Sequence, residues 1–383
     1  MRRCLALLTA LLLSACSTAP LVPTGTVFDD SLFSAPSQPV DRSQVFALSD
    51  AMKRYLEVDL AAEVRNKGER AALAEALSRR ERLRLEYDTA TTRTASQAFD
   101  ARAGNCLSLV IMTSALARHL GMPVQYHSVF VDETWGRAGN LLVSSGHVNL
   151  TLNNRLGGGS NVRFDAVAAV TIDFDPPLPG QRQHSRVISE STVVAMFMNN
   201  RSAESLAAGQ VDDAYWWSRA AIEAEPTFLT AYNTLAVVYL RRGALMQAER
   251  VLAQLLALEP ANAAALSNLA SVYLRQGRLA EAQATQQRLA SIEPAPPFHY
   301  FHRGLEALRQ RDYAQAKSLF QKEVSRSAYY HEFHFGLAMA LLGLGEFDEA
   351  RHQLALAKAS STRAADRELY AGKLERMKEL RVQ

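Results

Sequence analysis

The sequence predicts two folded parts, an α+β domain followed by an all-α solenoid of repeated helix pairs. Three observations predict this fold class. A strong amphipathic helix precedes strand-like runs that end near residue 180, and beyond that point apolar residues recur every 34 positions. The 383-residue chain, 48% hydrophobic and 21% charged, has a globular composition and suits two to three domains of about 150 residues.

The first fifteen residues have the features of an export signal. Arg2 and Arg3 precede a short apolar run that ends in Ser14-Ala15-Cys16. The run is too short to span a bilayer as a mature helix. The string before Cys16 resembles a bacterial lipobox, which implies that Cys16 carries the lipid (palmitate) and anchors the chain in a membrane. An ordinary signal peptide or an uncleaved anchor is the alternative.

The residue after the predicted lipidated cysteine is Ser17, where an Asp usually means retention at the inner membrane. The expected location is therefore the outer membrane, with the protein facing the periplasm. Residues 16–43 hold four prolines and show no periodicity, so we predict that they form a tether between lipid and fold. The α+β domain is predicted over 44–180.

Cys106 is the sole thiol of the mature chain if Cys4 leaves with the signal and Cys16 carries lipid. A leftover cysteine in an exported protein indicates a reactive thiol or an intermolecular bond, and the remaining alternative is a small buried apolar side chain. Cys106 lies at the start of a predicted helix from Asn105 to Leu120. The positive partial charge of a helix N-terminus favours the nucleophilic thiolate.

Three strand-like runs follow this helix, at 124–131, 141–152 and 161–172. In the second run His147 and Asn149 alternate with three apolar residues, so they share the opposite face of the strand. Asp165 follows His147 by eighteen residues, which suits neighbouring strands of a hairpin. The alternatives that remain open are His127 for the base, and Asp173 or Asp175 for the carboxylate, because the strand register is uncertain by two residues.

These residues resemble those of the transglutaminase-like superfamily of papain-type cysteine enzymes, over roughly 87–172. The resemblance rests on Gly104-Asn105-Cys106 at a helix start, followed by His147 and Asp165 on successive strands. It implies that Cys106 attacks an amide carbonyl, that His147 carries the proton and that Asp165 orients the imidazole. The expected activity is that of a peptidase, an amidase or a transglutaminase.

Two features of the resemblance bear on whether the site is active. Many members of the superfamily carry an aromatic residue where this chain has Asn149, and some members keep the fold without activity. An inactive scaffold for envelope proteins is therefore the alternative function. The backbone N–H of Cys106 is the predicted oxyanion donor, and Gln97 is a candidate for the second donor.

The second half of the chain repeats every 34 residues. Prolines and small residues mark the period: Pro226, Pro260, Pro294, Ala214, Ala248, Ala282, Ala316 and Ala350. This pattern resembles the tetratricopeptide repeat (TPR), a helix-turn-helix unit that stacks on its neighbours. It implies about five repeats over 195–360, a capping helix over 361–383, and a groove that binds a protein or peptide partner.

An arginine also recurs in the repeats, as Arg241, Arg275 and Arg309. Such a ladder is a candidate for binding the carboxylates of a partner. The alternative is that arginine simply favours a helix C-terminus.

The sequence gives no indication of nucleic-acid, cofactor or metal binding. A net charge of +3 leaves little basic excess to neutralise phosphates. The turn at 157–159 is glycine-rich but lacks the Lys-Ser/Thr of a phosphate loop. The pairs His299/His302 and His331/His334 sit at different repeat positions, so we predict ordinary packing for them rather than a metal site.

Overall fold

The computed structural model describes residues 27–78, 83, 85–88, 91–130, 135–138, 141–144, 147–153, 169–174, 184–292, 298–326, 330–361 and 364–379. The predicted export signal and Cys16 lie outside the described residues. No described helix is both long enough and apolar enough to cross a membrane.

Five described helices build the N-terminal part, and each begins or ends where the sequence supplies a cap. Ser49 caps the first helix, and Gly68 ends the second with a positive φ of 83°. Thr94 and Asn105 cap the fourth and fifth. The helices are α1 Asp50–Arg54, which continues as a π-turn at Tyr55–Asp59, α2 Ala61–Lys67, α3 Glu69–Ser78, α4 Ala95–Ala101 and α5 Cys106–His119.

The strands in the described residues form one larger sheet and two small ones. The strands are β1 Glu86–Tyr87, β2 Ala103–Gly104, β3 Val124–Phe130, β4 Trp135–Ala138, β5 Leu141–Ser144, β6 His147–Leu152, β7 Val170–Ile172 and β8 His184–Ile188. The larger sheet is antiparallel, with strand order β7-β6-β3-β8. β1 pairs with β2 in parallel, and β4 pairs with β5.

Two features of this sheet differ from the sequence-based expectation. The predicted strand over 141–152 is two strands, β5 and β6, which belong to different sheets. The predicted domain end near residue 180 is too early, because β8 pairs with β3 from Tyr126↔Ile188 to Phe130↔His184. The α+β domain therefore extends to Ile188.

The described residues from Glu190 onward form successive helix pairs followed by a capping helix. The pairs are α6 Glu190–Ala207 with α7 Val211–Ala224, α8 Leu229–Arg242 with α9 Leu245–Leu258, α10 Ala263–Arg275 with α11 Leu279–Ile292, α12 His299–Arg309 with α13 Tyr313–Arg326, and α14 His331–Gly343 with α15 Phe347–Ser360. The capping helix is α16 Ala364–Glu379. The first pair begins at Glu190, five residues before the predicted start of the repeats.

The 34-residue period has a simple packing cause. The five alanines that define it are at most 1% exposed, on the second helix of each pair. A small side chain at this position lets two helices approach closely, and a larger one would separate them. The repeated alanines thus mark the contact within each helix pair.

The segment that we name the N-terminal strap, residues 27–44, is not the predicted tether. It packs along the first repeats. Val27 and Phe33 are buried, and the Phe33 ring stacks on Tyr215 with centroids 3.9 Å apart. The Tyr239 hydroxyl donates to the Val27 carbonyl over 2.9 Å. These contacts join residues about 180 to 210 positions apart in sequence, which local periodicity does not reveal.

Candidate functional site

The thiol of Cys106 lies at the beginning of α5, and the residues around it explain that position. The Asn105 side chain accepts a hydrogen bond from the Ser108 N–H over 2.9 Å and so caps the helix. A Cβ atom at Gly104 would lie 2.7 Å from the Ser108 Cβ, so this position requires glycine. The Gly-Asn-Cys sequence thus has a structural reason: Gly104 leaves room for the Ser108 side chain, and Asn105 caps the helix that begins at Cys106. Cys106 itself is partly exposed.

His147 links this helix start to the sheet. It is the first residue of β6, and its side chain is only 9% exposed. The Nε2 atom of the imidazole lies 2.7 Å from Oδ1 of Asp173, and the Cys106 side chain is close enough to raise the pKa of the ring. Because Nε2 faces the carboxylate, Nδ1 is the ring nitrogen left for the sulfur. The three side chains form a continuous Cys-His-Asp contact.

The carboxylate that faces His147 is therefore Asp173, one of the two alternatives to the first choice. Asp165 and Asp175 lie outside the described residues. The register of β6 and β7 explains the observed partner: Leu150 pairs with Ile172, so one more step places Asp173 opposite Asn149, beside His147. Asp173 follows directly on the last residue of β7.

Asn149 completes the polar group on this strand. Its Nδ2 atom donates to Oδ2 of Asp173 over 3.1 Å, while the other carboxylate oxygen faces His147. Both oxygens are thus held, and the carboxylate plane is fixed. Asn149, the position where many members of the superfamily carry an aromatic residue, therefore orients Asp173, and Asp173 in turn orients His147.

The charge state of His147 follows from its surroundings. Burial by itself lowers the pKa of an imidazole, but the hydrogen bonds and charges of Asp173 and Cys106 outweigh it and raise the pKa of His147 to about 10. At neutral pH the ring is an imidazolium.

The alternative base, His127, occupies a different position. It lies on β3 opposite Asn149, and its Nε2 atom bonds with the Thr151 hydroxyl at 3.0 Å. That hydroxyl in turn contacts Thr171 at 3.1 Å. Burial lowers the pKa of His127. The structure brings His147, and not His127, to the sulfur.

Gln97, the candidate second oxyanion donor, has a structural contact. Its Oε1 accepts from the Thr94 N–H over 3.1 Å, and its own N–H donates to the Thr94 hydroxyl over 3.4 Å. This reciprocal pair is a capping box at the start of α4. The side-chain oxygen Oε1 of Gln97 is thus engaged in helix capping.

The repeated arginines are engaged to different degrees. Arg275 donates to the Leu240 carbonyl, in the last turn of α8, over 2.6 Å. Arg309 forms an ion pair with Glu306 on its own helix, and Arg241 is exposed. The contact of Arg275 fits the helix C-terminus alternative, because it binds a carbonyl in the last turn of a helix, which also accepts from the Gly243 N–H over 3.2 Å. Partner binding by the three arginines remains a prediction.

The two histidines of the pair His331/His334 face different neighbours. Nδ1 of His331 lies 2.7 Å from the Tyr370 hydroxyl of the capping helix. Nδ1 of His334 lies 2.7 Å from Oε1 of Gln353. Within the described part of the chain, no three His, Cys, Asp or Glu side chains form a group that could hold a metal ion.

Comparison with known families agrees with this geometry. The family model of the transglutaminase-like superfamily matches residues 58–171, and two tetratricopeptide repeat models match 243–303 and 301–374. The chain has a transglutaminase-like domain followed by TPR repeats. The α5 start, β6 and most of β7 fall inside the first match, and Asp173 lies two residues beyond it.

Solved structures resemble the repeat region. A thermophilic TPR protein of Thermus thermophilus is 22% identical, with a TM-score of 0.30, over 47% of this chain and 98% of its own. For Pseudomonas aeruginosa pilF the values are 23%, 0.31, 49% and 85%, and for a TPR protein of Parabacteroides merdae they are 21%, 0.26, 50% and 77%. Similarity of this degree says nothing about function. No curated protein matches the chain.

Proposed function

We propose that the protein is a lipid-anchored cysteine enzyme of the bacterial envelope that transfers an acyl group through Cys106. The repeats bind the protein or peptide on which it acts. The observation that supports this proposal is the continuous contact from Cys106 through His147 to Asp173, with His147 held as an imidazolium. Asn149 fixes the carboxylate at the end of this chain of contacts.

The proposed reaction has two steps. The Cys106 sulfur attacks the carbonyl carbon of an amide, the C–N bond breaks, and the leaving amine takes the proton that His147 holds. After the attack and before the C–N bond breaks, the carbonyl oxygen of the amide carries a negative charge. The Cys106 N–H at the helix start stabilises this charge. Water or a second amine then attacks the thioester carbon and gives a proton to His147, and the C–S bond breaks to release the Cys106 sulfur. Water gives a peptidase or amidase, and an amine gives a transglutaminase.

The first experiment measures alkylation of Cys106 by iodoacetamide at pH 6, with the modified residue located by mass spectrometry. We expect His147→Ala to slow alkylation about tenfold or more, because a thiol with an ordinary pKa near 8.5 is almost fully protonated at pH 6. His127→Ala is the matched control, since it removes a histidine from the neighbouring strand. If the wild type reacts only above about pH 8, and His147→Ala reacts equally, Cys106 is an ordinary thiol and the scaffold alternative holds.

The second experiment separates hydrolysis from amine transfer. An envelope extract is incubated with the protein and a biotin-labelled primary amine, and Cys106→Ala serves as the control. Biotin attached to an extract protein only with the wild type indicates a transglutaminase. New peptide N-termini without biotin indicate a peptidase. The same products with Cys106→Ala would contradict both.

The anchor is tested on Cys16 and Ser17. Cells are grown with labelled palmitate, and we expect the label to enter the wild type and Cys4→Ser but not Cys16→Ser. Ser17→Asp should move the protein from the outer to the inner membrane on a density gradient. Labelling of Cys16→Ser would show that the lipid, if any, is attached elsewhere.

A further inference from the structure

Glu204 lies in α6, the first helix of the repeats, and contacts the approach to the candidate site. Its Oε1 atom accepts a hydrogen bond from the Thr92 N–H over 2.7 Å. Thr92 is 2% exposed, so water does not replace this bond. The contact joins residues 112 positions apart, from the repeats to the transglutaminase-like domain.

From Thr92 the contacts continue to the residue before the nucleophile. The Asn105 Nδ2 atom donates to the Thr92 hydroxyl over 2.9 Å. The Oδ1 atom of the same side chain accepts from the N–H and the hydroxyl of Ser108, over 2.9 and 2.8 Å, and caps α5. Asn105 is thus held at both ends of its amide. A shift of Thr92 would therefore loosen the cap that sets the first turn, where Cys106 lies.

On its other side Glu204 is held by the repeats. Its Oε2 atom accepts from Arg201 over 2.7 Å, and the Arg201 guanidinium lies 5.6 Å from the Trp217 ring centre on α7. Burial raises the pKa of Glu204, and the bonds from Thr92 and Arg201 oppose that rise. A half-buried carboxylate with partners on both sides is a rigid connection and not a surface side chain.

We propose that Glu204 is a positioning residue for Cys106, acting through Thr92 and Asn105, so that the first repeat helix sets the reactivity of the thiol. This inference rests on the proposed function. The first repeat is then part of the machinery that prepares the nucleophile, besides any part it has in partner binding. A partner that displaced α6 would lower the reactivity of Cys106 without touching the site.

The test is the pH profile of iodoacetamide alkylation of Cys106 in the full chain, with thermal unfolding measured in parallel. We expect Glu204→Ala to slow alkylation at pH 6 by at most about fivefold, the factor that corresponds to complete loss of a helix N-cap, because this change loosens the Asn105 cap without removing it. Glu204→Gln keeps an oxygen to accept from Thr92, so it should react at close to the wild-type rate. Thr92→Val removes the hydroxyl at nearly constant volume and should slow alkylation to a similar degree as Glu204→Ala.

The matched control is Glu225→Ala, which removes a carboxylate that accepts from Ser191 and Thr227 at the far end of α7. We expect this variant to leave alkylation unchanged even if it lowers the melting temperature. Equal slowing by Glu204→Ala and Glu225→Ala would overturn the inference, as would a wild-type rate in Glu204→Ala when His147→Ala slows the reaction. A wild-type rate in His147→Ala would instead refute the proposed function. Glu204→Ala would then still show whether α6 positions the thiol.

Discussion

Replacing Asp173 by Asn separates the charge of this residue from its hydrogen bonds. The amide has the same shape and can still accept from the His147 ring, which lies 2.7 Å from the present carboxylate oxygen. Its second position becomes an NH2 group facing Asn149, which now donates to Oδ2 over 3.1 Å, so Asn149 must turn its own side-chain oxygen towards the new amide to keep this hydrogen bond. Any change in the titration of His147 then reports the negative charge.

The size of the effect follows from Coulomb's law. Two unit charges about 4 Å apart, at an effective dielectric constant of about 20, interact by about 4 kcal/mol, which equals about three pKa units. The pKa of His147 is raised to about 10 in the wild type. We therefore expect Asp173→Asn to lower it to about 7, with burial still acting against the charged ring.

The assay is NMR titration of the chain labelled with carbon-13 at its histidines. Nine resonances are expected, and that of His147 is identified by its absence in His147→Ala. Asp100→Asn, at an exposed position of α4, is the matched control and should leave every midpoint unchanged. A wild-type midpoint near 6.5 would show that the ring has no anionic partner in solution. A variant midpoint still near 10 would show that the charge of Asp173 does not raise it.

The same pair predicts a direction for stability against pH. A histidine with a raised folded-state pKa stabilises the fold fully below its unfolded pKa near 6.5, and this contribution disappears as pH rises through about 10. The wild type should therefore exceed Asp173→Asn in melting temperature at pH 6, and the difference should shrink towards pH 10. A difference that grows with pH would reverse the sign and contradict the assignment of charges.

Three further substitutions test the packing, each by thermal unfolding. Gly104→Ala would place its Cβ 2.7 Å from that of Ser108 and should cost about 1–3 kcal/mol, while an unchanged melting temperature would show that the helix start can shift. Phe33→Ala removes a buried ring and should lower the free energy of unfolding by about 3 kcal/mol. A protease should then cut the strap of the variant before the rest of the chain. Cleavage of the strap at the same rate in the wild type and the variant would mean that the Phe33 ring does not hold the strap in place. Gly304→Ala would bring a Cβ within 2.9 Å of the Phe320 ring and should lower the free energy of unfolding by about 1–3 kcal/mol. An unchanged melting temperature would show that α12 and α13 lie further apart than this contact implies.

The repeats were predictable because their signal is local and recurs. Each 34-residue unit has the same contact between its two helices, so a small residue is needed at the same position every time, and Ala214 to Ala350 show it five times. The helix that begins at Cys106 was predictable for a similar reason. Its cap, apolar face and stop all lie within one short stretch of sequence.

The carboxylate of the site was harder to predict, since it depends on how β6 and β7 are aligned. Asp165 and Asp173 both follow His147 at distances that suit a hairpin, and the spacing alone does not choose between them. The pairing of Leu150 with Ile172 decides for Asp173. The useful signal in the sequence was Asn149, whose polar side chain on the His147 face already indicated a further hydrogen-bonding partner.

The N-terminal strap and β8 were missed because their contacts join distant parts of the chain. The strap has no hydrophobic period and looks like a linker, and it is Tyr215 and Tyr239 of the repeats that give it a place to bind. β8 follows the predicted domain end near residue 180, and its partner β3 lies more than fifty residues earlier. Local patterns do not carry information of this kind.

The physical division of the molecule differs from the division into families. Buried apolar residues form one continuous cluster from Val27 in the strap through the transglutaminase-like domain to Val272 in α10. In the described residues from α12 onward, buried apolar side chains form separate clusters. The first repeats are therefore part of the body that carries the candidate site, which is the setting in which Glu204 reaches Thr92. A partner that binds the later repeats acts on the thiol only if its effect passes through this shared core.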